Sequence, residues 1–134
     1  MTKDRLDRFR FRAWDTEKKE LIYDAELAYD YMRPCSGGKI IEADCFGDVL
    51  ANKRYIVEQS TGLKDKNGRL IYENDVVSCG HPDIGYVKWK DGGFWVSGWN
   101  YVIPWNFFTT HKWEVLGNVH ENPELLEDNN ASKN

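Results

Sequence analysis

Between Phe94 and Tyr101 the side chains alternate, and both resulting faces are apolar. Phe94 and Val96 fall on one; Trp95, Trp99 and Tyr101, with Ser97, fall on the other. A period of two marks a β-strand, and a strand in an antiparallel sheet ordinarily leaves one face to water. Burying a Trp fully removes up to about 250 Å² from solvent, worth several kcal/mol at roughly 25 cal/mol per Å². Something must therefore shelter Trp95, Trp99 and Tyr101. The default is intramolecular cover by Phe9, Phe11 and their neighbours, because aromatics normally fill cores. A contact between copies of the chain comes second. A nucleic-acid surface comes third: Tyr86, Lys88 and Lys90 alternate on the adjoining strand and, with Trp95 and Trp99, offer a stacking and phosphate platform. The formal charge of −4 over 134 residues works against that reading, because it weakens long-range attraction to phosphates.

The rest of the chain carries the same short-strand pattern. Arg8 to Trp14 alternates, with Phe9, Phe11 and Ala13 expected inward, and Leu21 to Tyr23 returns after a polar turn to make a hairpin. Ala25 to Met32 has room for one or two helical turns, Ile40 and Ile41 read as a short strand, and Cys45 to Lys53 has no clear pattern. Further strands are expected at Arg54 to Glu58, Leu70 to Tyr72, Val76 to Val77, Ile84 to Lys90 and Trp113 to Val119. Asn67-Gly68 and Asp91-Gly92-Gly93 are turn signals between them. Asn122-Pro123 reads as the start of a short helix. Strands of this length joined by turns predict a mainly β chain, a small barrel or sandwich.

Composition narrows the function classes. Hydrophobic residues make up 41% of the chain, enough for a core, yet no apolar run approaches the roughly 20 residues of a membrane helix. Cys35, Cys45 and Cys79 are an odd number without short spacing, which favours reduced thiols over a disulfide framework. Met1 to Arg12 has no apolar segment of the signal-peptide kind, so a cytoplasmic location is expected.

Chemical constellations are sparse. Cys79 and His81 lie close together, but no C-x-x-C pair accompanies them, so no metal is expected. Cys79 with His111 or His120 has no nucleophile motif around it. Glu73 and Asp75 read better as a turn, with the Asp75 carboxylate accepting backbone N–H groups, than as an acid–base pair. Arg8, Arg10 and Arg12 share a strand face that is expected to be solvated or paired with acidic neighbours, with phosphate binding as the lesser option. No catalytic residue and no cofactor is expected.

Four segments together resemble one family: Phe11-Arg12-Ala13-Trp14-Asp15; Thr61-Gly62-Leu63-Lys64-Asp65-Lys66-Asn67-Gly68; Ile71-Tyr72-Glu73-Asn74-Asp75-Val76-Val77; and Glu114 to Leu126. The chain is similar to the YopX family of phage and prophage proteins from about residue 8 to 126. Ser60 stands where an aromatic is usual, and Asn74 where Gly is usual. Asn tolerates the left-handed backbone, so that turn is expected to survive. The resemblance implies a β-rich fold whose C-terminal part is an SH3-type barrel, phage or prophage origin, and action inside a bacterial host. It implies no activity and carries over no catalytic residue.

Combined, these readings predict a mainly β fold with an SH3-type barrel in the C-terminal part and an N-terminal hairpin packed on it. The expected division is an N-terminal β-hairpin subdomain over 1–60, the barrel over 61–122, and a short helix with an acidic tail over 123–134. The expected function is a non-enzymatic protein-interaction module that contacts a host or phage protein. Trp95, Trp99, Tyr101, Trp105, Lys88 and Lys90 are the candidate contact residues. Nucleic-acid binding through the same face is the alternative, an unrecognised enzyme the next. A homo-oligomer remains an option, and no membrane partner is expected.

Overall fold

Arg12 fixes the character of the N-terminal sheet. It lies in β1 (Phe11–Asp15), which pairs antiparallel on one side with β2 (Glu20–Tyr23) and on the other with β3 (Tyr55–Lys64). The structure, a computed structural model, describes residues 7–28, 36–80, 83–98, 102–104 and 113–127. The chain is mainly β and divides into two units, Met1–Ser60 and Thr61–Asn134.

In the first unit both faces of β1 are buried. Ala13, beside Ile22 and Val57 in register, enters a core with Ala25, Ile41 and Val49. On the opposite face, register sets Arg12 between Glu58 and Tyr23. The guanidinium is therefore neutralised where it sits, and Arg12 and Glu58 are each 1% exposed. Of the two expectations for the arginine face, solvation or pairing with acidic neighbours, pairing is the one that holds at Arg12. Phe9, expected inward, precedes β1 and is 54% exposed, with the Arg8 guanidinium 5.0 Å over its ring. Asp15 shapes the turn after β1: its Oδ1 accepts the N–H groups of Glu17 and Lys18 at 2.9 and 3.1 Å.

The unpatterned stretch after Cys45 forms helix α1 (Phe46–Ala51). Val49 is its buried residue, and the Phe46 ring sits 5.0 Å from Phe11. Tertiary packing decides here what periodicity left open, since six residues are too few to be a stable helix alone. After β2 the chain makes a 3₁₀ turn, Ala25–Leu27, where the expected helical turns begin; the rest of that stretch, 29–32, lies outside the described residues. Ile40 makes a single bridge and Ile41 is buried without extending into a strand.

The second unit opens with the last residues of β3, and β4 (Leu70–Tyr72) lies beside that strand. Its other strands are β5 (Asp75–Gly80), β6 (Asp83–Lys90), β7 (Gly93–Gly98), β8 (Val102–Pro104) and β9 (Glu114–Asn118), in a five-stranded sheet of order β8-β7-β6-β5-β9. The β5–β6, β6–β7, β7–β8 and β5–β9 pairings are all antiparallel. Ile71, Val77, Val87, Val96, Trp113 and Val115 form the core, a set of mostly β-branched residues suited to a pleated surface.

Short polar side chains hold the turns and the outer side of β9. Asp65 is buried and accepts N–H groups from Asn67, Arg69 and Val115 at 2.9, 2.8 and 3.0 Å. It therefore shapes the β3–β4 turn and ties that turn to β9. Asp75 behaves as its position predicts, accepting the Tyr72 N–H at 2.8 Å, and Asn74 adopts the left-handed backbone at φ 68°. Asn118 N–H donates to Asn122 Oδ1 at 3.1 Å. Gly117 is required beside it, because a Cβ there would overlap the Asn122 side chain. Asn122 thus turns its side chain back onto β9, while its carbonyl accepts the Leu125 N–H at the start of the helical turn at residues 124–127. Among the described residues, no helix is long and apolar enough to cross a membrane.

Candidate functional site

The β6–β7 hairpin is built by its turn. Asp91 and Gly92 both take positive φ, 52° and 78°. That is the geometry of a two-residue turn matching the twist of the strands it joins, and Gly92 adopts it without a Cβ penalty. Lys90 then faces Gly93, Trp89 faces Phe94, Lys88 faces Trp95, Val87 faces Val96 and Tyr86 faces Ser97. Directly opposed residues share a sheet face. Tyr86, Lys88, Lys90 and Trp95 therefore lie together, as the alternation in the sequence predicts, and Val87, Trp89, Phe94 and Val96 lie on the other face.

The two faces differ in how far the core reaches. Val87 and Val96 are buried, but Trp89, two residues nearer the turn, is 53% exposed. Its indole makes an edge-on contact with half-buried Phe94, the ring centres 5.0 Å apart at 78°. On the opposite face the Trp95 indole N–H donates to the Lys90 carbonyl at 2.9 Å. That bond pins the indole near the turn and uses its only polar group, so what it presents is ring surface. Lys88 and Lys90 form no ion pair among the described residues.

Of the six residues expected at the site, the structure thus brings together Trp95, Lys88 and Lys90. Trp99, Tyr101 and Trp105 lie outside the described residues. Trp89 and Phe94 are the pair that alternation alone did not single out. The available signal was Trp89's position one residue before Lys90 and the Asp91-Gly92 turn, where a hairpin can run past its core.

Three arginines of the first unit are engaged in its fold. Arg12 Nε donates to Glu58 at 2.7 Å and its NH1 donates to the Tyr23 hydroxyl at 3.3 Å. Arg10 pairs with Asp7 and Asp24 at 3.5 and 3.2 Å. Arg54 grips both oxygens of buried Asp15 at 2.9 Å, reaches Glu42 at 3.2 Å, and stacks over Tyr55. Burial alone would raise the Asp15 carboxyl, but the Arg54 guanidinium and the Lys18 and Glu17 N–H groups outweigh it and hold the group below 3.8. The same bond keeps Arg54 firmly protonated. Burial pushes the Tyr55 hydroxyl up. Burial also opposes ionisation of Asp65, and the N–H donors of Val115, Arg69 and Asn67 win, leaving it below 3.8.

Among the described residues, no group of three or more His, Cys, Asp or Glu side chains is arranged to hold a metal ion. His81 and His111 lie outside the described residues, and Cys79 is placed as a backbone position of β5.

A mainly β chain of two units with an aromatic hairpin in the second is the class of protein that the geometry defines. The model of the family described as YopX protein matches residues 10–127, and the chain belongs to the YopX family. It is similar to protein EF1440 from Enterococcus faecalis, known from a crystal structure. The likeness has 31% sequence identity and a TM-score of 0.60, and covers 87% of this chain and 96% of that one. Among curated proteins, none is significantly similar to this chain.

Proposed function

We propose that this chain is a non-enzymatic protein-interaction module encoded by a phage or prophage and acting in the cytoplasm of the bacterial host. In this reading the second unit is an SH3-type barrel, and its β6–β7 hairpin is the element that meets a partner. Supporting the barrel assignment is the strand path: β5 to β8 run as a meander, and β9 returns to the free side of β5. The observation that carries the functional reading is Trp89. A large indole left half in water at a hairpin tip contributes little to folding and much to a contact, because Trp is prominent among residues that dominate interfaces.

The test is co-purification of the full chain from a bacterial host carrying the prophage, beside Trp89→Ser. The expected result is a protein retained by the wild-type chain, reconstituted as a defined complex from the two purified components, and released by Trp89→Ser. Equal retention by both chains would refute the hairpin as the contact. The second reading is nucleic-acid binding, favoured by Lys88 and Lys90 flanking the Trp95 ring. It requires co-purifying nucleic acid whose binding weakens steeply with salt.

A further inference from the structure

From the Tyr86–Lys88–Lys90–Trp95 face we infer the chemistry of the partner: an extended acidic segment with carboxylates at alternate positions and an aromatic residue beside them. This rests on the β6–β7 hairpin as the docking element, takes its face opposite Trp89, and adds the class of ligand. Lys88 and Lys90 are two residues apart on β6 and share one face with Tyr86. Their Cα atoms are therefore separated by about 6.6 Å, two strand rises. An extended partner repeats its same-side groups at that interval, so two of its carboxylates at alternate positions match the two ammonium groups. Elsewhere in this unit a lysine has an internal acid, as Lys66 has Glu114 at 3.4 Å. The lysines of this face have none among the described residues. Trp95 stands directly across from Lys88, its N–H committed to Lys90, so it receives a ring or an apolar side chain and offers no donor.

Charge arithmetic favours a peptide over a nucleic acid. Two lysines neutralise about two phosphates, too few for the steep counterion-release gain on which nucleic-acid affinity depends. The chain's formal charge of −4 opposes a long polyanion more than a short acidic segment.

The experiment titrates the full chain with poly(Glu,Tyr), poly(Lys,Tyr) and oligothymidylate, reading tryptophan fluorescence, and repeats it with the Lys88→Glu, Lys90→Glu double variant. The expected result is saturable binding of poly(Glu,Tyr) alone, about tenfold weaker in the double variant, at an unchanged melting temperature. Binding that ignores the double reversal, or oligothymidylate binding more tightly than poly(Glu,Tyr), would overturn the inference. The two proposals fail separately. A partner protein retained by the double variant but released by Trp89→Ser leaves docking intact and refutes the acidic ligand. A partner retained by every variant, with poly(Glu,Tyr) still lysine-dependent, refutes the docking element and leaves the acid-binding face.

Discussion

The two units use charge differently. In the first, long side chains hold one another: Arg12 to Glu58, and Arg54 to Asp15, Glu17 and Glu42. In the second, short side chains hold backbone: Asp65, Asp75, Asn118 and Asn122 accept main-chain N–H groups that would otherwise be unpaired at turns and at β9. The cores differ in the same sense. Alanines supply much of the first, and β-branched residues most of the second. A small-residue core buries less apolar area per residue, so electrostatic pairing bears more of the specificity there. In the second unit the valines supply the area and the polar groups only shape it.

Breaking the first arrangement has the largest expected effect. Glu58→Ala leaves the Arg12 guanidinium buried without its carboxylate, and is expected to cost about 4 kcal/mol in urea unfolding. Arg12→Met combined with Glu58→Leu is expected to recover most of that loss, since a buried pair exchanged for apolar side chains is often neutral. If the single variant costs under about 1 kcal/mol, the pair is not what organises that face.

Asp65→Ala comes next. It strips acceptors from three N–H groups and is expected to cost about 3 kcal/mol. The pH dependence sharpens the point. The folded Asp65 and Asp15 carboxyls sit below 3.8, so the stability they add is complete above the ordinary carboxylate range. It is lost as pH falls through that range to the depressed folded values. Acid unfolding followed by circular dichroism should therefore be less steep for Asp65→Asn than for the wild type. An unchanged acid transition would contradict the assignment.

Gly117→Ala is expected to cost about 2 kcal/mol, because the added methyl displaces the Asn122 side chain from the Asn118 N–H. The smallest effect belongs to Trp89→Ser, within about 0.5 kcal/mol of wild type, as for an exposed residue outside the core. A melting temperature that falls as far as it does for Gly117→Ala would make Trp89 a folding residue and remove it from the candidate site.

The same contrast explains how much was legible in the sequence. The second unit is specified locally: Asp91-Gly92 sets its own turn, Asn74 precedes the Asp75 that accepts the Tyr72 N–H, and alternation assigns Lys88 and Trp95 to one face. The first unit depends on partners 39 and 46 residues apart, Asp15 with Arg54 and Arg12 with Glu58, and no local pattern announces such pairs. Alternation alone therefore leaves an Arg either solvated or paired, until register places a Glu beside it. The role of Asp65 is hidden for a related reason: two of its donors are close in sequence, but the third, Val115, lies 50 residues on. At the site, Trp89 escaped notice because period two assigns a face and says nothing about where the core ends.

Folding engages Arg12, Asp15, Asp65 and Asp75 and leaves Trp89 exposed for contact at the tip of the β6–β7 hairpin. The direct test is a titration of the isotope-labelled full chain with its co-purified partner, followed by nuclear magnetic resonance. The account predicts that the indole N–H of Trp89 and the amides from Lys88 to Trp95 shift first and most. Shifts confined to residues of the first unit, with the hairpin unmoved, would contradict it.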